Sequence, residues 1–185
     1  MIKNIKILSR KEVEYFIKSI TMPVELPWAF ISIWNSHELV HVFTRDILKK
    51  IGCNEALSIR LADLTKDEFF LHLSEDEKKN NKLFDETDAK QIISFVDKIN
   101  SLDIPTLIIH CAAGISRSGA VGLFTCRYLK LNEDEFRKEN ENILPNFYIL
   151  KTLNDVSGID KDYVKFWETK ENLLKYDAML KFKIF

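Results

Sequence analysis

No apolar stretch in this sequence approaches the roughly 20 residues that a membrane-spanning helix needs. The N-terminus, Met1-Ile-Lys-Asn-Ile-Lys6, lacks the long apolar segment of a secretory leader. Neither sign of charge is in excess: 27 Lys and Arg meet 28 Asp and Glu, for a formal net charge of -1. That balance argues against a nucleic-acid or polyanion surface as the main partner. Cysteine is scarce and odd in number, with three residues and no disulfide-scaffold spacing, which suits a reducing compartment. There is no internal repeat and no low-complexity tract. These absences predict a cytoplasmic protein with no membrane and no nucleic-acid partner; they leave the oligomeric state open. What is present is 185 residues, 46% hydrophobic and 30% charged, enough for one domain over residues 1–185 with a real core.

The segment from Pro105 to Leu131 organises the pattern. Thr106-Leu-Ile-Ile109 is a short apolar run of the kind a buried parallel strand requires. Ala120 to Leu131 is apolar enough for a buried helix, and Ser118 is placed to cap its N-terminus. Between them lies a tight loop with one cysteine at its start and one arginine at its end, His110-Cys-Ala-Ala-Gly-Ile-Ser-Arg-Ser118. A strand–loop–helix of this form aims successive backbone N–H groups, and the positive end of the helix dipole, at one spot. That spot will hold an anion. Helix N-termini and neighbouring arginine also favour thiolate over thiol, so the loop joins a nucleophile to an oxyanion cradle.

The flanking pattern alternates between strand and helix. Ile2, Ile5, Ile7 and Leu8 read as an edge strand, and Ser9 with Glu12 as a capping box ahead of Val13, Phe16, Ile17 and Ile20. Trp28 to Trp34 is a buried strand by its aromatic and β-branched content. From His37 to Ile51 a helical spacing is present, stopped by Gly52. His37 and His41 are four apart, as in a helical metal pair, but no Glu, Cys or Asp set accompanies them, so no metal and no cofactor is expected.

Ala56 to Leu61 alternates as a strand, and Asp63 leaves its carboxyl end, where open α/β sheets bind ligands. Residues 65–82 are charged and Asn-rich, a surface excursion or lid. Helices are predicted over Asp85–Asn100, Glu133 to about Asn142, Phe147–Leu153 and about 160–181. Helices before and after strand 105–109 make a βαβ-type crossover. The expected fold class is therefore α/β, a mostly parallel sheet of about four to five strands with helices on both faces.

The loop residues carry a resemblance. His110-Cys111-Ala112-Ala113-Gly114-Ile115-Ser116-Arg117-Ser118 resembles the His-Cys-(five residues)-Arg-Ser/Thr signature of cysteine-based protein tyrosine phosphatases. The Gly-X-Ser-Arg-Ser ending looks most like the dual-specificity subgroup. The order Ile59-Arg-Leu-Ala-Asp63, excursion, helix and nucleophile loop is similar to that subgroup too, so the resemblance spans about residues 57–150.

The resemblance implies a phosphatase-type fold and hydrolysis of phosphate monoesters without a metal. Cys111 would attack phosphorus, giving a cysteinyl-phosphate, and Arg117 would grip two equatorial oxygens with its planar fork. The backbone N–H groups of Ala112, Ala113, Gly114, Ile115, Ser116 and Arg117 would hold the remaining charge. Ser118 would hydrogen-bond the thiolate, and His110 would orient the loop. Asp63 would be general acid and then base, with Asp67 the alternative. Pro145-Asn146 resembles a Pro-Asn turn of related phosphatases, read here as fixing the last helices against the loop. Cys53 and Cys126 read as packing residues, with a protective disulfide to Cys111 as the other reading.

The absence of lysine among the five central loop residues turns the expected substrate toward phosphorylated protein (phosphotyrosine, with phosphoserine and phosphothreonine open) and away from phosphoinositide. RNA 5′-phosphatase, sulfur-transferase and phosphopeptide-binding readings remain as alternatives.

Overall fold

The computed structural model describes residues 1–20, 26–35 and 43–159. His37, His41 and the helix expected over 160–181 lie outside those residues. In chain order the elements are β1 (Asn4–Ser9), α1 (Arg10–Ser19), β2 (Trp28–Trp34), α2 (Arg45–Lys50), β3 (Cys53–Arg60), a π-helical turn (Glu68–His72), α3 (Glu75–Asn80) and α4 (Glu86–Ser101). They continue with β4 (Thr106–Cys111), α5 (Arg117–Tyr128), α6 (Glu133–Glu139) and α7 (Phe147–Ser157). The strands form one sheet in the order β1-β4-β2-β3, every neighbouring pair parallel. Parallel strands need covering on both faces, because each buries side chains above and below.

The period of two sorts the strand residues accordingly. Ala29, Ile31, Ile33, Leu107 and Ile109 join the larger core with Ile92, Val96, Phe124 and Leu153, so α4, α5 and α7 lie on that face. Trp28, Phe30 and Ile108 turn the other way, onto Val13 before the middle of α1 and onto Leu48 and Ile51 at α2. The α/β sandwich expected from the sequence is thus present, with four strands among the described residues. No helix among the described residues is long and apolar enough to cross a membrane.

The sheet order determines where a ligand can enter. β4 is inserted between β1 and β2. Its own connection, into α5, leaves over the face of the larger core, whereas those of β1 and β2, into α1 and α2, leave over the opposite face. That is a topological switch point, and open α/β sheets bind ligands beyond the carboxyl ends of strands at such a point. Cys111 is the last residue of β4.

Several element ends differ from expectation for local reasons. The excursion contains two helical pieces, although neither buries a residue. Both start from reciprocal bonds of the Ser/Thr-x-x-Glu type. Thr65 N donates to Glu68 Oε2 at 2.7 Å while Glu68 N donates to Thr65 Oγ1 at 3.2 Å, and Ser74 with Glu77 repeats the arrangement. The capping chemistry makes these turns; with no apolar stripe, periodicity does not reveal them.

α5 stops at Tyr128 rather than Leu131. Lys130 takes a left-handed φ of 54°, and Leu131 N returns to Cys126 O at 2.8 Å, closing the last turn. α7 runs on to Ser157, where Gly158 caps it with φ 74°.

Candidate active site

Cys111 is delivered by β4, one of the two strands with neighbours on both sides, and is only 2% exposed. The five following residues turn sharply into α5. Gly114 makes the turn with φ +72°, a region that costs a non-glycine residue free energy. The end of β1 lies directly behind it: a Cβ there would sit 2.5 Å from Ser9 N and 2.6 Å from the Leu8 carbonyl carbon. Backbone bonds pin the loop on both flanks. Arg10 N donates to Ala112 O at 3.1 Å, while Leu144 N donates to Ile115 O and Asn146 N to Ser116 O, each at 3.1 Å. The loop is therefore built in advance of any anion, with its order supplied by β1 and by the turn before α7.

The start of α5 is a correction to the sequence reading. Ser118 is not its cap; the helix begins at Arg117, and the capping position belongs to Ser116. The hydroxyl of Ser116 makes no capping bond and instead donates to Asp63 Oδ1 at 2.7 Å. Each of the other described α-helices has a side-chain cap. Ser118, fully buried in the first turn, has its Oγ 3.1 Å from Cys111 Sγ. The contact with the Cys111 sulfur expected of it is thus present, and the capping role is not.

Arg117 is buried, its side chain 5% exposed. Its Nη1 donates to Leu61 O at 3.1 Å, and its Nε stands 4.0 Å from Asp63 Oδ2. The guanidinium is held by the end of the β3 segment, which is also the segment that supplies Asp63. Asp63 itself is reached from two sides, because Asn146 Nδ2 donates to Oδ1 at 2.9 Å beside the Ser116 bond. Asp67, the alternative acid, is exposed at the head of the π-helical turn.

His110 points to the opposite face of the sheet from Cys111. Its ring stacks on Phe30 at 5.1 Å, meets Phe43 edge-on at 4.8 Å, and shares a 2.8 Å hydrogen bond with Ser32 Oγ. Its place is behind the loop, under β4.

No protein-family model matches the sequence, and no curated protein matches it significantly. Solved structures do. Tk-PTP in its active form aligns with a TM-score of 0.51 at 16% identity, covering 85% of this chain and 93% of that one. PTPMT1 in complex with PI(5)P aligns with a TM-score of 0.52 at 15% identity, over 84% of this chain and 90% of that one. The chain has the fold of the cysteine-based protein tyrosine phosphatases. At such identity the likeness is one of fold, and the roles of individual residues rest on their own geometry.

Within this phosphatase fold the residues expected from the sequence converge. Cys111, Arg117 and Ser118 share one loop and helix start, and Asp63 is bonded to that loop across 53 residues of sequence. Sequence reasoning missed the side chains of Ser116 and Asn146 as partners of Asp63. Asn146 had a signal, since Asn after Pro and before an apolar run is a helix cap, but nothing local points its amide at residue 63.

The other two cysteines stay apart from this site. Cys53 belongs to the core on the opposite face of the sheet. Cys126 is eight residues along α5 from Ser118, about 12 Å at 1.5 Å per residue, beyond the reach of a disulfide to Cys111. All three cysteines are free. Burial pushes the Cys53 thiol up to about 12 and the Cys126 thiol up to about 11, so both stay protonated. Both are packing residues, as one of the two sequence readings had it. Among the described residues no group of three or more His, Cys, Asp or Glu side chains is arranged to hold a metal.

Proposed function

We propose that this chain hydrolyses phosphate monoesters through a cysteinyl-phosphate on Cys111, with phosphorylated protein as its substrate. The observation that carries the reading is the meeting of four groups at one loop. A cysteine sits at the base of a backbone cradle, a serine hydroxyl lies 3.1 Å from its sulfur, a carboxylate is bonded at the rim, and a buried guanidinium from the same loop stands 4.0 Å from that carboxylate.

In the first half-reaction the Cys111 thiolate attacks phosphorus, forming the S–P bond as the P–O ester bond breaks. Asp63 gives its proton to the departing oxygen. Arg117 and the backbone N–H groups of residues 112–117 take up the charge that spreads over the equatorial oxygens. In the second half-reaction Asp63 accepts a proton from water, whose oxygen attacks phosphorus. The S–P bond then breaks, inorganic phosphate leaves, and the Ser118 hydroxyl donates to the returning thiolate. Atoms and charge balance without a cofactor.

Residues 112–116 are Ala, Ala, Gly, Ile and Ser, and the lack of lysine among them supports a phosphoprotein over a polyanionic lipid headgroup. PI(5)P, the ligand of the similar PTPMT1 structure, is the competing substrate class. Three unpaired thiols support a reducing compartment, and we assign the reaction to the cytoplasm.

Turnover of 4-nitrophenyl phosphate tests the chemistry, and a panel of phosphotyrosine, phosphoserine and phosphothreonine peptides beside PI(5)P tests the substrate. The expected result is turnover that Cys111→Ser abolishes, with peptides preferred over the lipid. Undiminished activity in Cys111→Ser would sink the chemistry, and preference for PI(5)P would sink the substrate class alone.

A further inference from the structure

Two hydrogen-bond donors converge on a single oxygen of Asp63. Ser116 Oγ donates at 2.7 Å and Asn146 Nδ2 at 2.9 Å, both to Oδ1. The second oxygen, Oδ2, is the one that lies toward Arg117, 4.0 Å from Nε. A carboxyl oxygen has two lone pairs in its plane, and two donors occupy both. A proton carried by this carboxyl therefore belongs on Oδ2, the atom on the cradle's side.

Asn146 is the more tightly fixed of the two donors. It is buried, 8% exposed, and each of its polar groups is engaged. Its Oδ1 accepts from Ile149 N at 3.1 Å and so starts α7; its backbone N donates to Ser116 O at 3.1 Å. Turning the amide over would set its N–H₂ against the Ile149 N–H, so the network fixes the donor side toward Asp63. One residue thereby joins α7, the nucleophile loop and a carboxylate 83 positions away. Asp63 needs such a hold. Its side chain is 37% exposed, and the excursion that follows it is exposed along most of its length.

We propose that Asn146 is a positioning residue that clamps Asp63 Oδ1, so that Oδ2 presents the proton to the leaving-group oxygen. This rests on the phosphatase reading above. General acid assistance is worth roughly 10²–10⁴-fold, and it matters more as the leaving oxygen becomes more basic. Loss of the clamp therefore affects esters of poor leaving groups more than esters of good ones.

The test compares kcat/KM for 4-nitrophenyl phosphate and phenyl phosphate in the wild-type chain, Asn146→Ser and Asn146→Asp. Both substitutions keep a side-chain oxygen for the Ile149 N–H, and both remove the amide N–H₂ that donates to Asp63. The ratio of 4-nitrophenyl to phenyl ester is expected to rise about tenfold in each variant, a fraction of the full acid effect. In Asn146→Asp, two carboxylates face each other, and the basic limb of the pH profile moves to higher pH.

Equal falls on both esters, with an unmoved limb, mean that Asn146 only shapes the loop, and they overturn the proposal. Should Asn146→Ser not fold, Asn146→Asp carries the same comparison. A wild-type chain that turns over neither ester overturns the phosphatase reading itself, which a constant ratio does not.

Discussion

Gly114 shows most sharply what the loop demands of a single residue. Two requirements meet there: a φ of +72° and the absence of any side chain against the Leu8–Ser9 backbone. The first alone costs a non-glycine residue about 1–3 kcal/mol. The second cannot be relieved by a rotamer change, because the opposing atoms are main chain. Gly114→Ala is therefore expected to lower the melting temperature and to push the cradle's N–H groups out of register. Thermal melts with and without inorganic phosphate check this: the wild-type chain should gain stability from phosphate and the variant should not. An equal phosphate-induced rise in both would show that the loop does not need the conformation described. The three cysteines give the complementary lesson. Their burial is similar, yet only Cys111 has a hydroxyl at its sulfur and an arginine in the same loop, so neighbours rather than burial set it apart from the other two thiols.

At the scale of elements, the site depends on how α5, α6 and α7 are tied together behind the loop. Glu133, the first residue of α6, meets Arg127 near the end of α5 through two bonds of 2.8 and 3.0 Å, and Arg137 through one of 2.8 Å. Burial works to raise its carboxyl, but the hydrogen bonds and charges of the two arginines outweigh it and hold the carboxyl below the usual value of 4.5. A folded-state value lowered in this way adds stability that is present above the unfolded value and is lost as pH falls through the folded one. Glu133→Gln should therefore cost about 1 kcal/mol at pH 7 and progressively less below pH 4.5. Urea unfolding at pH 7 and at pH 3 reads the difference; a penalty that stays constant with pH would rule out the ionic origin. Asn140 makes a second tie, with its Oδ1 accepting from Ile7 N at 2.8 Å and its Nδ2 donating to Ile5 O at 3.1 Å. It occupies the outer edge of β1, the strand against which Gly114 rests, and blunts an edge that would otherwise offer free main-chain groups.

Over the whole molecule, what was legible in the sequence was what local pattern encodes. The run Thr106–Ile109, the small residues of the loop and the apolar helix after it announce a strand, a tight turn and a buried helix, and all three are present. The Ser9–Glu12 box and the Asp85-led helix were readable for the same reason. The parts that were not legible depend on contacts distant in sequence. Ser116 and Asn146 reach Asp63 across 53 and 83 residues, and only the sheet order that brings β3 and β4 to one crevice makes those bonds available. The misassigned cap at Ser118 has the same origin. A serine near a helix start looks like a cap until the strand beside it places a sulfur 3.1 Å away.

The mechanism proposed above has Cys111 carry the phosphoryl group and Asp63 move the proton in both half-reactions. Its most direct test is a rapid-mixing experiment on Asp63→Asn with excess 4-nitrophenyl phosphate, quenched by denaturation and mapped by peptide mass. A good leaving group lets the first half-reaction proceed without the acid, whereas the second still needs a base. This mechanism requires a burst of nitrophenol equal to the protein present, and one phosphoryl group on the peptide containing Cys111. Steady phosphate release without a burst, or a phosphoryl group on any other residue, would contradict it.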